Sequence, residues 1–144
     1  IGFAAAPADI LIGMSRVHQY TIMCAPTVSQ DAALEAIKNG ADEVEKMRKE
    51  YDRRRKLIVS GLNELGLPTF EPHGAFYAFP DIRVTGLDDE TFAQRLLDEE
   101  KVAVVPGSAF GVGGEGFVRC SYATAYEKIE EALSRLKSFM RRYG

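Results

Sequence analysis

The stretch Gly111-Val112-Gly113-Gly114-Glu115-Gly116-Phe117-Val118-Arg119-Cys120-Ser121-Tyr122 admits two folds. Its first half matches G-x-G-x-x-G, and a dinucleotide site would need a helix directly after it, with its N-terminus holding the pyrophosphate. The second half alternates instead: Phe117, Arg119 and Ser121 against Val118, Cys120 and Tyr122. That is the period of a strand with two unlike faces. The glycines therefore read as a loop between strands, and the dinucleotide fold is set aside.

Working outward, Val102 to Val105 reads as a buried strand, and Asp88 to Glu100 as a helix with Phe92, Leu96 and Leu97 inward. Pro68 to Glu71 and Ala75 to Pro80 read as strands hinged at Pro72-His73-Gly74. Tyr126 to Arg142 closes the chain as a helix, with Tyr126, Ile129, Leu133, Leu136 and Met140 on one stripe. Ala41 to Leu65 is the longest periodic segment, ended by Gly66 and interrupted at Arg54, where an apolar residue is expected. A helix of about 25 residues spans about 37 Å, long enough to join two domains. Before it, Ile1 to Ala6 reads as a short buried strand and Ala8 to Met23 as a helix ended by Pro26. Thr27 or Ser29 caps a second helix, with Asn39-Gly40 as its left-handed stop. The order α, α, α, β, β, α, β, β, α predicts an α/β or α+β fold, helices packed on a small mixed sheet.

Composition narrows the function. The 144 residues are 46% hydrophobic and 27% charged, an ordinary globular balance with enough length for one core. A net charge of −3 supplies no field for nucleic acid or an anionic membrane. The longest uncharged run, Val17 to Gln30, is too short and too polar to span a bilayer. Two cysteines, Cys24 and Cys120, read as buried thiols of a reducing, cytoplasmic setting, and no basic-then-apolar leader opens the sequence. Among the first 40 residues only Asp9, Arg16, Asp31, Glu35 and Lys38 are charged. So apolar a segment suits a surface packed against something larger, and we expect a piece of a longer protein that exposes an apolar patch when isolated.

Few residues carry chemistry. Arg53-Arg54-Arg55-Lys56 shares its helix with Glu45, Glu50 and Asp52 at four-residue spacing, which makes a solvated ion-pair face and not a nucleic-acid patch. His18 and His73 lack metal-ligand spacing, and no G-x-S-x-G elbow is present. Arg119 stands out, a guanidinium in mid-strand among Val118, Cys120 and Tyr122. Two readings stay open for it: a structural salt bridge to an Asp or Glu, or a planar fork for a ligand carboxylate or phosphate.

Four segments, in order, resemble a known family: Ile1-Gly2-Phe3-Ala4-Ala5-Ala6-Pro7, Gly74-Ala75-Phe76-Tyr77, Val105-Pro106-Gly107-Ser108-Ala109-Phe110-Gly111 and Gly116-Phe117-Val118-Arg119-Cys120-Ser121. Over essentially its whole length the chain resembles the C-terminal part of the fold-type-I, class I/II aminotransferases that use pyridoxal 5′-phosphate, near their aspartate aminotransferase-like members. The resemblance implies that residues 1–40 trail from a large cofactor-binding domain and residues 41–144 form the small C-terminal domain with its inter-domain helix. It implies that Arg119 grips the α-carboxylate of the substrate and that Phe76 and Tyr77 lie near the site as contact or packing. It further implies that the Schiff-base lysine, the phosphate-binding arginine and the groups around the cofactor ring lie outside this sequence. The piece alone is then expected to hold no cofactor and to catalyse no transamination, whereas the intact enzyme is a homodimer acting on an amino acid and a 2-oxo acid. Two rival readings are a free-standing carboxylate-binding or regulatory domain and a non-transaminating enzyme, a lyase or decarboxylase, on the same scaffold.

Overall fold

The longest helix is also the one whose end is most fully specified. A computed structural model describes all residues 1–144, and in it α3 runs Ala41–Glu64. Gly66 takes φ +80°, which only glycine adopts at little cost. Its N–H donates to the Asn63 carbonyl at 3.0 Å and the Leu67 N–H to the Leu62 carbonyl at 3.1 Å. These are the two bonds of a Schellman end, and the apolar contact that accompanies it is made by the buried pair Leu62 and Leu67.

The chain divides into two compact units, residues 1–47 and 48–144. The first contains α1 (Ala8–Thr21) and α2 (Thr27–Asn39). Neither helix buries a residue, and Ile10, Ile12, Val17, Val28 and Ile37 all face solvent. Residues 1–6 form no strand and are largely exposed, because no neighbouring strand offers the hydrogen bonds a strand needs. No side chain caps α2; Pro26 precedes it, and Gly40 is right-handed (φ −88°, ψ 0°), so the chain turns directly into α3 without a left-handed stop. Cys24 is exposed in the turn after α1, contrary to the buried thiol expected of it.

The second unit holds the core. Three short strands, β1 (Tyr77–Ala78), β2 (Val105–Pro106) and β3 (Val118–Ser121), pair in the order β1-β3-β2. Both pairings are antiparallel, with Tyr77 opposite Ser121 and Val105 opposite Arg119, so the sheet is not mixed. Residues 102–104 are not strand, and Thr69 meets Pro80 only as an isolated bridge. Val118, Cys120 and Tyr122 face inward together with Ile58 and Leu62 of α3. Helices α4 (Asp89–Glu100) and α5 (Tyr126–Tyr143) complete the core, with the Phe92 and Phe139 rings edge to face at 5.2 Å. On α4 the inward positions are Asp89, Phe92, Ala93 and Leu96, whereas Leu97, one step off that stripe, is 43% exposed. Phe139, with no exposed surface, is a core residue that the stripe read from the sequence omits. Cys120 behaves as expected: burial pushes its thiol up to about 12. No helix is long and apolar enough to cross a membrane.

The basic run of α3 is matched by acids on the same helix. Arg54 donates to Glu50 at 2.9 Å, Arg55 to Asp52 at 2.7 Å, and Lys56 pairs with Asp52 at 2.8 Å. Hydrogen bonds from Lys56 and then Arg55 hold the Asp52 carboxyl at about 2, below its ordinary 3.8. A depressed folded-state value stabilises the fold fully above the unfolded value and loses that contribution as pH falls through the folded one. The urea midpoint of Asp52→Asn should therefore lie below that of the parent at about pH 6, with the gap closing as both approach about pH 2.

Candidate functional site: an arginine against two rings

Strand alternation puts Val118 and Cys120 into the core and leaves Arg119 on the opposite face of the sheet. Tyr77 lies on that same face, one diagonal step across the β1–β3 pair. The Arg119 guanidinium sits 4.3 Å from the centroid of the Tyr77 ring. The ring of Phe110 is also against it, its centroid at 4.5 Å. The row of rings extends both ways: Phe76 contacts Tyr77 at 4.6 Å and Tyr51 at 6.0 Å, and Phe79 meets Phe110 at 5.6 Å. Of the residues expected at the site, Tyr77 therefore touches Arg119, and Phe76 stands one ring behind it.

Four arginines of the chain are half-buried. Arg54 holds Glu50, Arg55 holds Asp52 and Glu71, and Arg135 holds Glu131. Arg119 holds no carboxylate, and its charge is met only by the two aromatic faces. Of the two readings left open by the sequence, the internal salt bridge is thus removed. An aromatic ring attracts a guanidinium without accepting a conventional hydrogen bond from it, so the N–H groups that pair bidentately with a carboxylate stay unspent. Arranged in this way, the site can bind and orient a small planar anion.

Phe110 was not identifiable as a site residue from the sequence. It is carried by a single 3-10 turn, Gly107–Phe110, directly after β2, and nothing in local periodicity says where such a turn aims its last side chain. The glycines after the turn are a loop: Gly111, Gly113 and Gly116 have φ of +102°, +94° and +80°, and the next element is β3. No helix comes after them, and the dinucleotide reading stays excluded. The loop closes on itself through Gly107, whose N–H donates to the Phe117 carbonyl at 2.9 Å while its backbone lies directly against Gly114.

Comparison with known proteins adds a family to this geometry. The family described as "Aminotransferase class I and II" matches residues 1–136. The chain is 54% identical over 143 residues to an aspartate aminotransferase of Pyrococcus abyssi, covering 98% of this chain and 37% of that protein. It is 50% identical over 143 residues to an aromatic-amino-acid aminotransferase of Thermococcus litoralis, with the same coverages. Among solved structures, an aromatic aminotransferase from Pyrococcus horikoshii superposes with a TM-score of 0.90 at 54% identity, over 96% of this chain and 37% of that one. An aspartate aminotransferase from Thermotoga maritima gives 0.85 at 38% identity, over 94% and 34%. The chain spans little more than a third of the length of the curated relatives it matches. These neighbours are fold-type-I enzymes matched through their C-terminal domain.

The loop that carries Phe110 is sterically tight. A Cβ on Gly107 would collide with the Gly114 carbonyl oxygen and lie 2.7 Å from that of Phe117. Gly107→Ala should lower stability by about 1–3 kcal/mol, read by urea unfolding, whereas alanine at Gly111, which has no neighbour within reach, meets only the strain of its positive φ.

Proposed function

Because the chain belongs to the class I and II aminotransferase family, we propose that it is the C-terminal part of a pyridoxal-phosphate-dependent aminotransferase in which Arg119 binds the α-carboxylate of the substrate. The intact enzyme moves an amino group between an amino acid and a 2-oxo acid. The observation that carries this reading is the half-buried Arg119, which has two rings against its guanidinium and no carboxylate of its own. We assign residues 1–40 to the end of the large domain and 41–144 to the small one, joined by α3. A homodimer in the cytoplasm is the setting we assign to the intact protein; the free cysteines Cys24 and Cys120 suit a reducing compartment.

Arg119 does three things in this reading. It supplies the charge that draws the carboxylate out of water, its two N–H groups fix the plane of that carboxylate, and the bond to Cα is thereby aimed in one direction. The Tyr77 and Phe110 rings hold the fork still, so that little side-chain freedom is lost when substrate arrives. Pyridoxal 5′-phosphate, when bound, supplies the electron sink for the bond broken at Cα. The donor set around Arg119, one guanidinium flanked by rings, suits a carboxylate and does not fit the cofactor, whose aldehyde requires an amine and whose ring nitrogen requires an acid. We assign cofactor binding to residues outside these 144 and expect the chain alone to be inactive.

In the full-length protein, Arg119→Ala should lower kcat/KM for amino acids by about 10- to 100-fold, the worth of a charge-assisted bidentate pair. Arg119→Lys, which keeps the charge and loses the fork, should recover only part of it. Unchanged kcat/KM for dicarboxylic and neutral amino acids alike would overturn the assignment. Amino-group exchange with a 2-oxo acid separates transamination from lyase or decarboxylase chemistry in the same assay.

A further inference from the structure

We propose that Asp89 is the positioning residue of the Arg119 clamp: its carboxylate holds the 107–110 turn so that Phe110 lies against the guanidinium. The proposal rests on the reading of Arg119 as the carboxylate-binding group and concerns how that group is kept in place.

Asp89 is the buried charged side chain of the fold, 5% exposed, and burying a carboxylate is costly unless something donates to it. Its neighbour Asp88 already does what an acid at a helix start is needed for. The Asp88 side chain caps α4, accepting from the Thr91 N–H and from the Thr91 hydroxyl, both at 2.7 Å. Asp89 does something else. It reaches across 19 residues of sequence and accepts the backbone N–H of Ser108 at 2.7 Å. Hydrogen bonds from the Ser108 hydroxyl and backbone hold its carboxyl below the ordinary value, so it is ionised at neutral pH and the bond is charge-assisted.

Ser108 lies at a leverage point. Its carbonyl accepts the Gly111 N–H at 3.1 Å, closing the turn, and Gly107 before it is fixed to Phe117 at 2.9 Å. Only Ala109 stands between Ser108 and Phe110. Phe110 is half-exposed, with Phe79 as its edge-to-face ring neighbour, so its own packing does little to place it. Its distance from Arg119 is therefore set by where the turn is pinned, and the pin that comes from outside the turn and its strands is Asp89. Loss of Asp89 should let Phe110 swing while Arg119 stays on β3 with only Tyr77 beside it.

The test has two independent readouts. In the full-length protein, the Arg119 side-chain protons beside the two rings should resonate upfield by NMR. Asp89→Ala should return them toward ordinary arginine positions to the extent that Phe110→Ala does, and the double variant should go no further. Asp89→Asn, which keeps an acceptor for Ser108, should retain most of the shift. Asp88→Ala, which removes the cap of the same helix, should lower the melting temperature and leave the Arg119 signals in place. In the full-length enzyme, Asp89→Ala and Phe110→Ala should each raise KM for the amino acid about fivefold with little change in kcat, and their effects should not multiply. Arg119 signals unmoved in Asp89→Ala, or KM effects that multiply, would overturn the proposal. If Asp89→Ala does not fold, Asp89→Ser supplies the same comparisons. A parent enzyme with no turnover would sink the carboxylate reading alone, because the NMR comparison decides the role of Asp89 without it.

Discussion

Strand β3 must serve two environments at once, and the rest of the second unit is arranged around that demand. Val118, Cys120 and Tyr122 are core residues packed among α3, α4 and α5, while Arg119, between them in sequence, presents a permanent charge on the other face. A one-residue slip of register would exchange the two sets and bury a guanidinium among aliphatic side chains. Register is therefore strongly specified. It is held on one edge by Tyr77 and Ala78 of β1 and on the other by Val105 and Pro106 of β2. The hydroxyl of Tyr122 adds a further tie, donating to the Ala75 carbonyl at 3.0 Å just before β1.

So short a sheet gains its rigidity from its connections. The Schellman end of α3 delivers the chain to Leu67 with a fixed direction, and the isolated bridge of Thr69 to Pro80 starts the hairpin-like return. Between β2 and β3 the glycine loop crosses itself so closely that neither Gly107 nor Gly114 has room for a Cβ. These constraints belong to backbone geometry and not to hydrophobic burial, and together with the bond from Ser108 to Asp89 they give the exposed Phe110 its place beside Arg119.

Periodicity made most of this architecture readable. Alternation over 117–122 identified β3 and both of its faces, and three- and four-residue spacing located all five helices to within a few residues. The failures have physical causes. Ile1 to Ala6 has the composition of a strand, but a strand exists only beside a partner, and none lies there. Asn39-Gly40 looks like a left-handed stop, yet the backbone of Gly40 stays right-handed because α3 begins at the next residue. Leu97 is apolar, but the inward stripe of α4 runs through Asp89, Phe92, Ala93 and Leu96, and Leu97 stands one step past it. For the site itself strand period singled out Arg119, while Phe76 and Tyr77 came only from the family resemblance. Phe110 and Asp89 depend on a turn and on a contact across 19 residues, which no local pattern encodes.

The choice of rings over a carboxylate as the company of Arg119 has a consequence for binding. A protein carboxylate placed there would stabilise the charge but occupy the fork, and an incoming anion would have to displace it against several kcal/mol of desolvated pairing, on the order of 3. Aromatic faces attract the cation more weakly, about 0.5–2 kcal/mol each depending on burial, and do so without consuming a hydrogen bond. The guanidinium is thus held still yet left short of acceptors, so that a ligand carboxylate gains nearly the whole of its charge-assisted pair on arrival. The contrast within one chain is direct: Arg55 is already neutralised by Asp52 and Glu71, whereas Arg119 pairs with no carboxylate.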